Sequence, residues 1–198
     1  MAGDRKTIGE MSALTSADRV PDEITLRPLS RADFDLLVDW INAPHVARWW
    51  EGNTDLAAVT AKYESRLEPD STTKVYVIQH HNKPIGMAQC YRHKDYPEWD
   101  RDVGVTSAAG IDYMIGESSA VGKSLGALAI RAITAFAFKL FDDIECVVAV
   151  PQKANISSCR ALKKAGFNLI DERKLESNSP SDSGISSIYT VCRTKCFE

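Results

Sequence analysis

A mixed α/β domain is what the sequence predicts, and three observations carry that prediction. Short runs alternate apolar and polar residues with a period of two, as "ITLRPL" does at 24–29. A longer run repeats apolar residues at helical spacing, through Leu125, Leu128, Ala129, Ala132, Ile133, Phe136 and Leu140. The two kinds follow one another as β-α-α-β-β-β-α-β-α-β with a further strand at the C-terminal end, so a plain β-α repeat is excluded.

Each element has a local reason. After the first strand, "SRADFDLLVDWIN" offers Ser30 as a cap and Asp33 near the helix N-terminus. Phe34, Leu37, Val38 and Ile41 then form one apolar face. A second helix is expected over 55–67, starting at Thr54. "KVYVIQH" and "PIGMAQCYR", separated by "HNK", read as a hairpin. The segment "HKDYPEWDRDVGVTSA" is polar and aperiodic and is expected to be a long loop. "AGIDYMIG" is the next strand, and the strongly amphipathic helix follows it. "ECVVAV" is a short apolar strand ended by Pro151. "NISSCRALKKAGF" is a helix stopped by Gly166, with Lys163 and Lys164 in its last turn. "GISSIYTVCR" is a closing strand. Residues 1–22 read as a loose polar tail, and 23–198 as a single domain.

Composition narrows the function classes. At 198 residues, 44% hydrophobic and 26% charged, the chain is sized and built for one domain with a substantial core. A net charge of -3 lacks the basic excess expected of a nucleic-acid binder. No apolar run is long enough to cross a membrane, and the N-terminus has no secretory h-region. Cys90, Cys146, Cys159, Cys192 and Cys196 form no zinc-type spacing. Without a signal segment they read as free thiols in the cytoplasm, and no metal is expected.

"GESSAVGKS" invites a nucleotide-binding reading. Five residues separate Gly116 from the Gly122-Lys123-Ser124 triplet, where a P-loop has four. "CVVAV" offers no carboxylate for magnesium, and Asp112 interrupts the preceding strand. A P-loop is therefore disfavoured. Two readings of the turn remain: a plain helix cap at Ser118, Ser119 or Ser124, or a helix N-terminus whose N–H groups hold another phosphate.

The order of a strand, "VGKSLGA", a helix, a strand and then "N-x-x-x-x-R-x-L-x-K-x-G-F" resembles the GCN5-related N-acetyltransferases. That resemblance implies a mixed, mostly antiparallel central sheet flanked by helices, and acetyl-CoA as cosubstrate. It places the cofactor on Met114, Ile115, Val121, Gly122, Lys123, Ser124, Leu125, Gly126, Ala127 and Asn155. Val121 stands where the family's turn has Arg or Gln, and Ser124 where it has its first Gly. "WINAPHVARWW", "KPIGMAQCY" and "GIDYMIGE" are together similar to the aminoglycoside 6′-N-acetyltransferases.

Acetyl transfer to an ammonium needs a carboxylate that accepts a proton or anchors the charge. Asp112 matches the family's strand aspartate. Its other reading is an edge carboxylate facing solvent. The resemblance also implies an oxyanion donor from the backbone near Ile115, and substrate contacts at Trp49, Asp95, Glu98, Trp99 and Asp112. The acids of "DYPEWDRD" read equally as a solvated charge run.

Two positions depart from the family. Leu162 replaces a tyrosine that would protonate the departing thiolate, and Val150 replaces an acidic substrate ligand. A siderophore-type or other small-amine acyltransferase and a non-catalytic acyl-CoA-binding module stand as alternatives. The expected partner is a small-molecule amine, with the protein a monomer or homodimer.

Overall fold

Seven strands assemble into one sheet in a computed structural model that describes residues 24–50, 52–176 and 184–193. The tail expected over 1–22 lies outside the described residues. The strands are β1 (Ile24–Pro28), β2 (Thr73–His80), β3 (Lys83–Arg92), β4 (Ala108–Ile115), β5 (Cys146–Ala149), β6 (Asn168–Arg173) and β7 (Ser186–Cys192). Their spatial order is β1-β2-β3-β4-β5-β7-β6. Every neighbouring pair is antiparallel except β4 with β5, so the sheet is mixed and mostly antiparallel as expected.

The β2–β3 hairpin turns on His81 (φ 48) and Asn82 (φ 61), two consecutive left-handed residues that match the twist of the flanking strands. The decisive irregularity lies at β4. It pairs with β3 from Ala109 to Ile115 but with β5 only from Ala108 to Gly110. Beyond Gly110 the two parallel strands diverge and the sheet opens into a cleft. The ring of Tyr91 lies against Gly110, where a Cβ would stand 2.5 Å from a ring carbon. Only glycine admits that approach.

The helices are α1 (Phe34–Asn42), α2 (Pro44–Ala47), α3 (Leu56–Tyr63), α4 (Pro97–Val103), α5 (Leu125–Leu140) and α6 (Ile156–Ala165). One face of the sheet packs Ile111 and Val147 against Ile130 and Ile133 of α5 and Leu162 of α6. The other packs Val77, Met87 and Met114 against Phe34 and Leu37 of α1 and Val59 of α3. Each large apolar side chain buried this way contributes roughly 1.5–3 kcal/mol. At the start of α1, Asp33 accepts from the Ser30 N–H at 2.9 Å and pairs with Arg27 at 2.5 Å. The guanidinium hydrogen bond holds the Asp33 carboxyl at a pKa of about 2.

Three expectations need correcting. The polar segment after β3 is helical in its middle, because Pro97 pre-sets the first turn, Glu98 and Asp100 suit the helix N-terminus, and Gly104 (φ 70) closes the helix. The helix expected over 55–67 is α-helical only to Tyr63 and finishes as a 3-10 turn over Glu64–Leu67. Cys146 and Cys192, directly opposed on β5 and β7, are joined in a disulfide, so the reading of all the cysteines as free thiols fails. Period-two patterning does not reveal which cysteines come face to face, because pairing of β5 with β7 is a tertiary event. Cys90 and Cys159 are free and buried, and burial pushes the Cys90 thiol up to about 12.

Candidate active site

The cleft between β4 and β5 opens into a cavity of ≈ 490 Å³. Asp112 borders it, on the stretch of β4 that has left β5. Period-two geometry places Gln89 of β3 directly across from Asp112, and Gln89 Nε2 donates to Asp112 Oδ2 at 2.7 Å. Gln89 Oε1 in turn accepts from Arg66 Nη1 at 2.7 Å. The Arg66 guanidinium also lies over the Tyr63 ring, 5.2 Å from its centroid. A chain of guanidinium, amide and carboxylate thus runs from the 3-10 turn after α3 to the middle of β4.

The walls are aromatic. Trp49, Trp50, Tyr91, Tyr96 and Trp99 all line the cavity. Tyr96 packs edge-on against Tyr91 at 5.1 Å, and its hydroxyl bonds Thr73 at 2.5 Å, tying the segment before α4 to β2. Trp49 carries Arg48 over its ring at 5.3 Å. Trp99 and Trp49 therefore line the cavity where the sequence placed substrate contacts, and Trp50 joins them.

The predicted acids Asp95 and Glu98 do not line it. Asp95 turns back to Arg92 at 3.2 Å, and Glu98 is exposed on α4. The helix accounts for Glu98: once residues 97–103 coil, their acids distribute around an axis and no longer point together, whereas Asp95 sits in the turn before α4 and is held by Arg92. Val150 borders the cavity as an apolar wall.

The donor side is built from backbone. Among the described residues the N–H groups of Gly122, Lys123, Ser124, Leu125 and Gly126 donate no backbone hydrogen bond, whereas Ala127 and Leu128 already donate to Ser124 O. Unpaired N–H groups at a helix start form an anion site, strengthened by the helix dipole. Ser124 sits at φ 65 and Gly122 at φ 80, left-handed geometry that suits glycine, which explains why Ser124 is an unusual occupant. The side chain of Ser124 makes no cap bond to α5, so the plain capping reading of that residue does not hold. It accepts instead from Lys164 Nζ at 2.6 Å, which brings a second cation beside Lys123. Val121 is exposed, and Leu125 and Ala127 put their side chains into the core, leaving only their backbone to a ligand.

A Cβ on Gly126 would lie 3.9 Å from Ile115 Cγ1, so the turn adjoins the end of β4. Met114 is buried under α1 and its side chain does not reach the cleft. The Ile115 carbonyl meets His45 Nε2 at 2.9 Å. Asn155 borders the cavity, and its carbonyl oxygen accepts from Ser158 N at 3.1 Å, which makes it the N-cap of α6. Leu162 is fully buried beneath α6 and offers nothing to the cleft. One turn earlier, Ser158 shares a 2.7 Å hydrogen bond with the Tyr113 hydroxyl, and both border the cavity. Burial pushes the Tyr113 phenol above its ordinary value, so it stays protonated.

The sequence reading missed Gln89, Arg66, Lys62, Tyr113, Ser158 and Lys164. Gln89 had a signal, since hairpin pairing and strand alternation place it beside Asp112. Arg66 and Lys164 had none, because each reaches the site across elements distant in sequence. Among the described residues no group of His, Cys, Asp or Glu is placed to hold a metal, and no helix is long and apolar enough to cross a membrane.

The sequence and the fold are matched by known proteins. The profile of the acetyltransferase (GNAT) domain fits residues 30–175. The aminoglycoside N(6′)-acetyltransferase type 1 of Klebsiella pneumoniae is 30% identical over 186 residues, covering 89% of this chain and 86% of that protein. The protein of the same description from Serratia marcescens matches to the same extent. Among solved structures, AAC(6′)-Ib in complex with paromomycin and acetyl-CoA superposes with a TM-score of 0.75 at 25% identity, covering 87% of this chain and 94% of that one. A ribosomal L7/L12 protein acetyltransferase, RimL, shares the fold at 15% identity with a TM-score of 0.68. The chain belongs to the GCN5-related N-acetyltransferase (GNAT) family and is an acetyl-CoA-dependent N-acetyltransferase.

Proposed function

We propose that the acceptor is an aminoglycoside and that the reacting group is its 6′-amine, so that the enzyme inactivates the antibiotic. The observation that carries this is the Asp112 carboxylate, held by Gln89 in an aromatic-walled cavity where β4 leaves β5. Sugar rings present apolar C–H faces that stack on Trp49, Trp50 and Trp99, and hydroxyls that bond to Thr73, Gln152 and Asn155. The relatives that are 30% identical carry this activity in their description.

In the reaction the pyrophosphate of acetyl-CoA lies on the N–H groups from Gly122 to Gly126, beside Lys123 and Lys164. The acceptor ammonium meets Asp112, which takes its proton or passes it to water. The freed nitrogen lone pair attacks the thioester carbonyl carbon. The C–N bond forms and the C–S bond breaks; the thiolate leaves with the electron pair and takes up, through water, the second proton that the nitrogen sheds as it becomes an amide. A backbone N–H on the open edge of β4 near Ile115 stabilises the oxyanion. Met114 and Ile115 serve the donor through their backbone and Asn155 borders its path. Asp95 and Glu98 have no part in acceptor binding in this reading. We place the enzyme in the cytoplasm, as a monomer or homodimer of one domain.

The test is thiol release from acetyl-CoA over a panel of aminoglycosides. Release is expected with compounds bearing a free 6′-amine and not with their 6′-hydroxyl counterparts. Release that ignores the 6′-position would overturn the regiochemistry, and release with none of the panel would overturn the acceptor class.

A further inference from the structure

Successive side chains of a strand point to opposite faces of its sheet, yet Asp112 and Tyr113 both border the cavity. The parting of β4 from β5 makes this possible, because the opening passes through the sheet. Asp112 shares the face of Met114, which packs against α1 and α3, and it is met there by Gln89. Tyr113 points the other way and packs against the apolar cluster of α5 and α6 that holds Leu162. The hydroxyls bordering the cavity divide in the same manner. Strand register puts Thr73 and Tyr91 on the face of Asp112, and Tyr96 bonds to Thr73. Tyr113 and Ser158 meet on the opposite face, 2.7 Å apart.

That second face leads to the start of α5. A Cβ on Gly126 would lie 3.9 Å from Ala161 Cβ as well as from Ile115 Cγ1, so the turn over 122–126 adjoins α6 and the end of β4 together. Ser158 stands three residues before Ala161 and therefore on the same side of α6.

We propose that Tyr113 is a catalytic residue of the donor side: its hydroxyl donates a hydrogen bond to the CoA sulfur as the C–S bond breaks, and Ser158 aims it. This rests on the reading of the turn over 122–126 as the seat of the pyrophosphate. From that seat the pantetheine arm runs along the side of α6 that carries Ala161 and Ser158, and its sulfur reaches Tyr113 where β4 has left β5. The acceptor's proton and the donor's sulfur are thus handled by neighbouring residues on opposite faces of one strand. The C–S electron pair goes to sulfur, the phenol O–H holds the charge that develops there, and water delivers the proton shed by the nitrogen, so Tyr113 itself ends unchanged. Ser158 Oγ–H donates to the phenol oxygen, which leaves the phenol's own proton free to face the sulfur. Burial pushes the phenol above its ordinary value and keeps that proton in place. Leu162, fully buried one turn beyond Ser158, has no proton to offer, and the strand supplies the hydroxyl instead.

The experiment uses the full chain and two donors without an acceptor, CoA and desulfo-CoA, titrated by calorimetry at about pH 7.5 and about pH 9.5. A thiolate that accepts from Tyr113 makes the CoA thiol more acidic in the complex than in water, where thiols titrate at about 8.5. CoA affinity is therefore expected to rise by about threefold or more across this range relative to desulfo-CoA, which has no thiol proton to lose. Tyr113→Phe keeps the ring and its packing. It is expected to abolish the rise while leaving desulfo-CoA affinity within about twofold. In thiol release with a 6′-amino aminoglycoside it is expected to lower kcat by about 10- to 100-fold. Ser158→Ala is expected to fall between the two, and Ser158→Thr to restore wild-type behaviour. A wild-type CoA affinity that parallels desulfo-CoA at both pH values, or a rise that Tyr113→Phe retains, would overturn the proposal. Gly126→Asp checks the seat separately, because its carboxylate suits a helix N-terminus but repels phosphate. It is expected to weaken both donors by about tenfold or more. Unchanged affinity in that variant would overturn the seat, and the route to Tyr113 with it. The titrations contain no amine, so their outcome is independent of the acceptor's identity.

Discussion

Asp112 is half-buried on β4 and takes a hydrogen bond from Gln89. Asp112→Asn keeps the shape and removes the charge. With the carboxylate gone, the acceptor stays protonated in the complex, and kcat/KM is expected to fall by about 10²- to 10⁴-fold. Acetyl-CoA affinity should not change, because the N–H groups proposed to hold its pyrophosphate lie beyond Ile115 at the start of α5. Steady-state thiol release with a parallel calorimetric titration of the donor separates the two. Retention of full activity would move the base elsewhere, and the protonated Tyr113 phenol beside Ser158 is not suited to that role.

At the scale of the element, α4 and the turn before it hold one face of the cavity through Tyr96 and Trp99, and they rest on His93. His93 is almost completely buried, neither ring nitrogen has a hydrogen-bond partner among the described residues, and the Asp100 carboxylate stands 3.5 Å from Nδ1. Burial outweighs Asp100 and pushes the His93 pKa below the ordinary imidazole value of about 6.5. The unfolded chain therefore binds a proton that the folded one refuses, and stability falls as pH drops below about 6.5. Wild-type Tm is expected to decline more steeply from pH 7 to 5 than that of His93→Leu, and hydrogen exchange should place the loosening in residues 93–104. Parallel Tm curves for the two proteins would show that His93 does not titrate in this range.

The whole molecule is organised by one event, the parting of β4 from β5 after three paired positions. It exposes the backbone edge that carries Asp112 and lets α5 point its N-terminus at the end of β4. On the far side of the opening, β5 is held to β7 by four paired positions and by the Cys146–Cys192 bridge. A thiol titration of the denatured protein, prepared without reductant, is expected to find Cys90 and Cys159 reactive and Cys146 and Cys192 silent, the latter two appearing only after reduction. Reaction of Cys146 and Cys192 without reductant would return the bridge to the free-thiol state that the sequence alone suggested.

The sequence by itself determined the elements and the chemistry of single positions. Period-two and helical patterns located β1 to β5, α1, α5 and α6. The order of a glycine turn, a helix, a strand and "N…KKAGF" carried the family resemblance, which pointed to the turn as a phosphate site and to Asp112 as the strand carboxylate. These are local features, encoded in spacing and residue type. What only the tertiary structure decided is who meets whom: Arg66 with Gln89, Lys164 with Ser124, Tyr113 with Ser158, Cys146 with Cys192. It also decided that Asp95 and Glu98 turn away while Lys62 and Arg66 turn in. The physical reason is that a side chain's direction follows from the helix or strand that carries it and from the packing of that element, and neither is set by the residues adjacent in sequence.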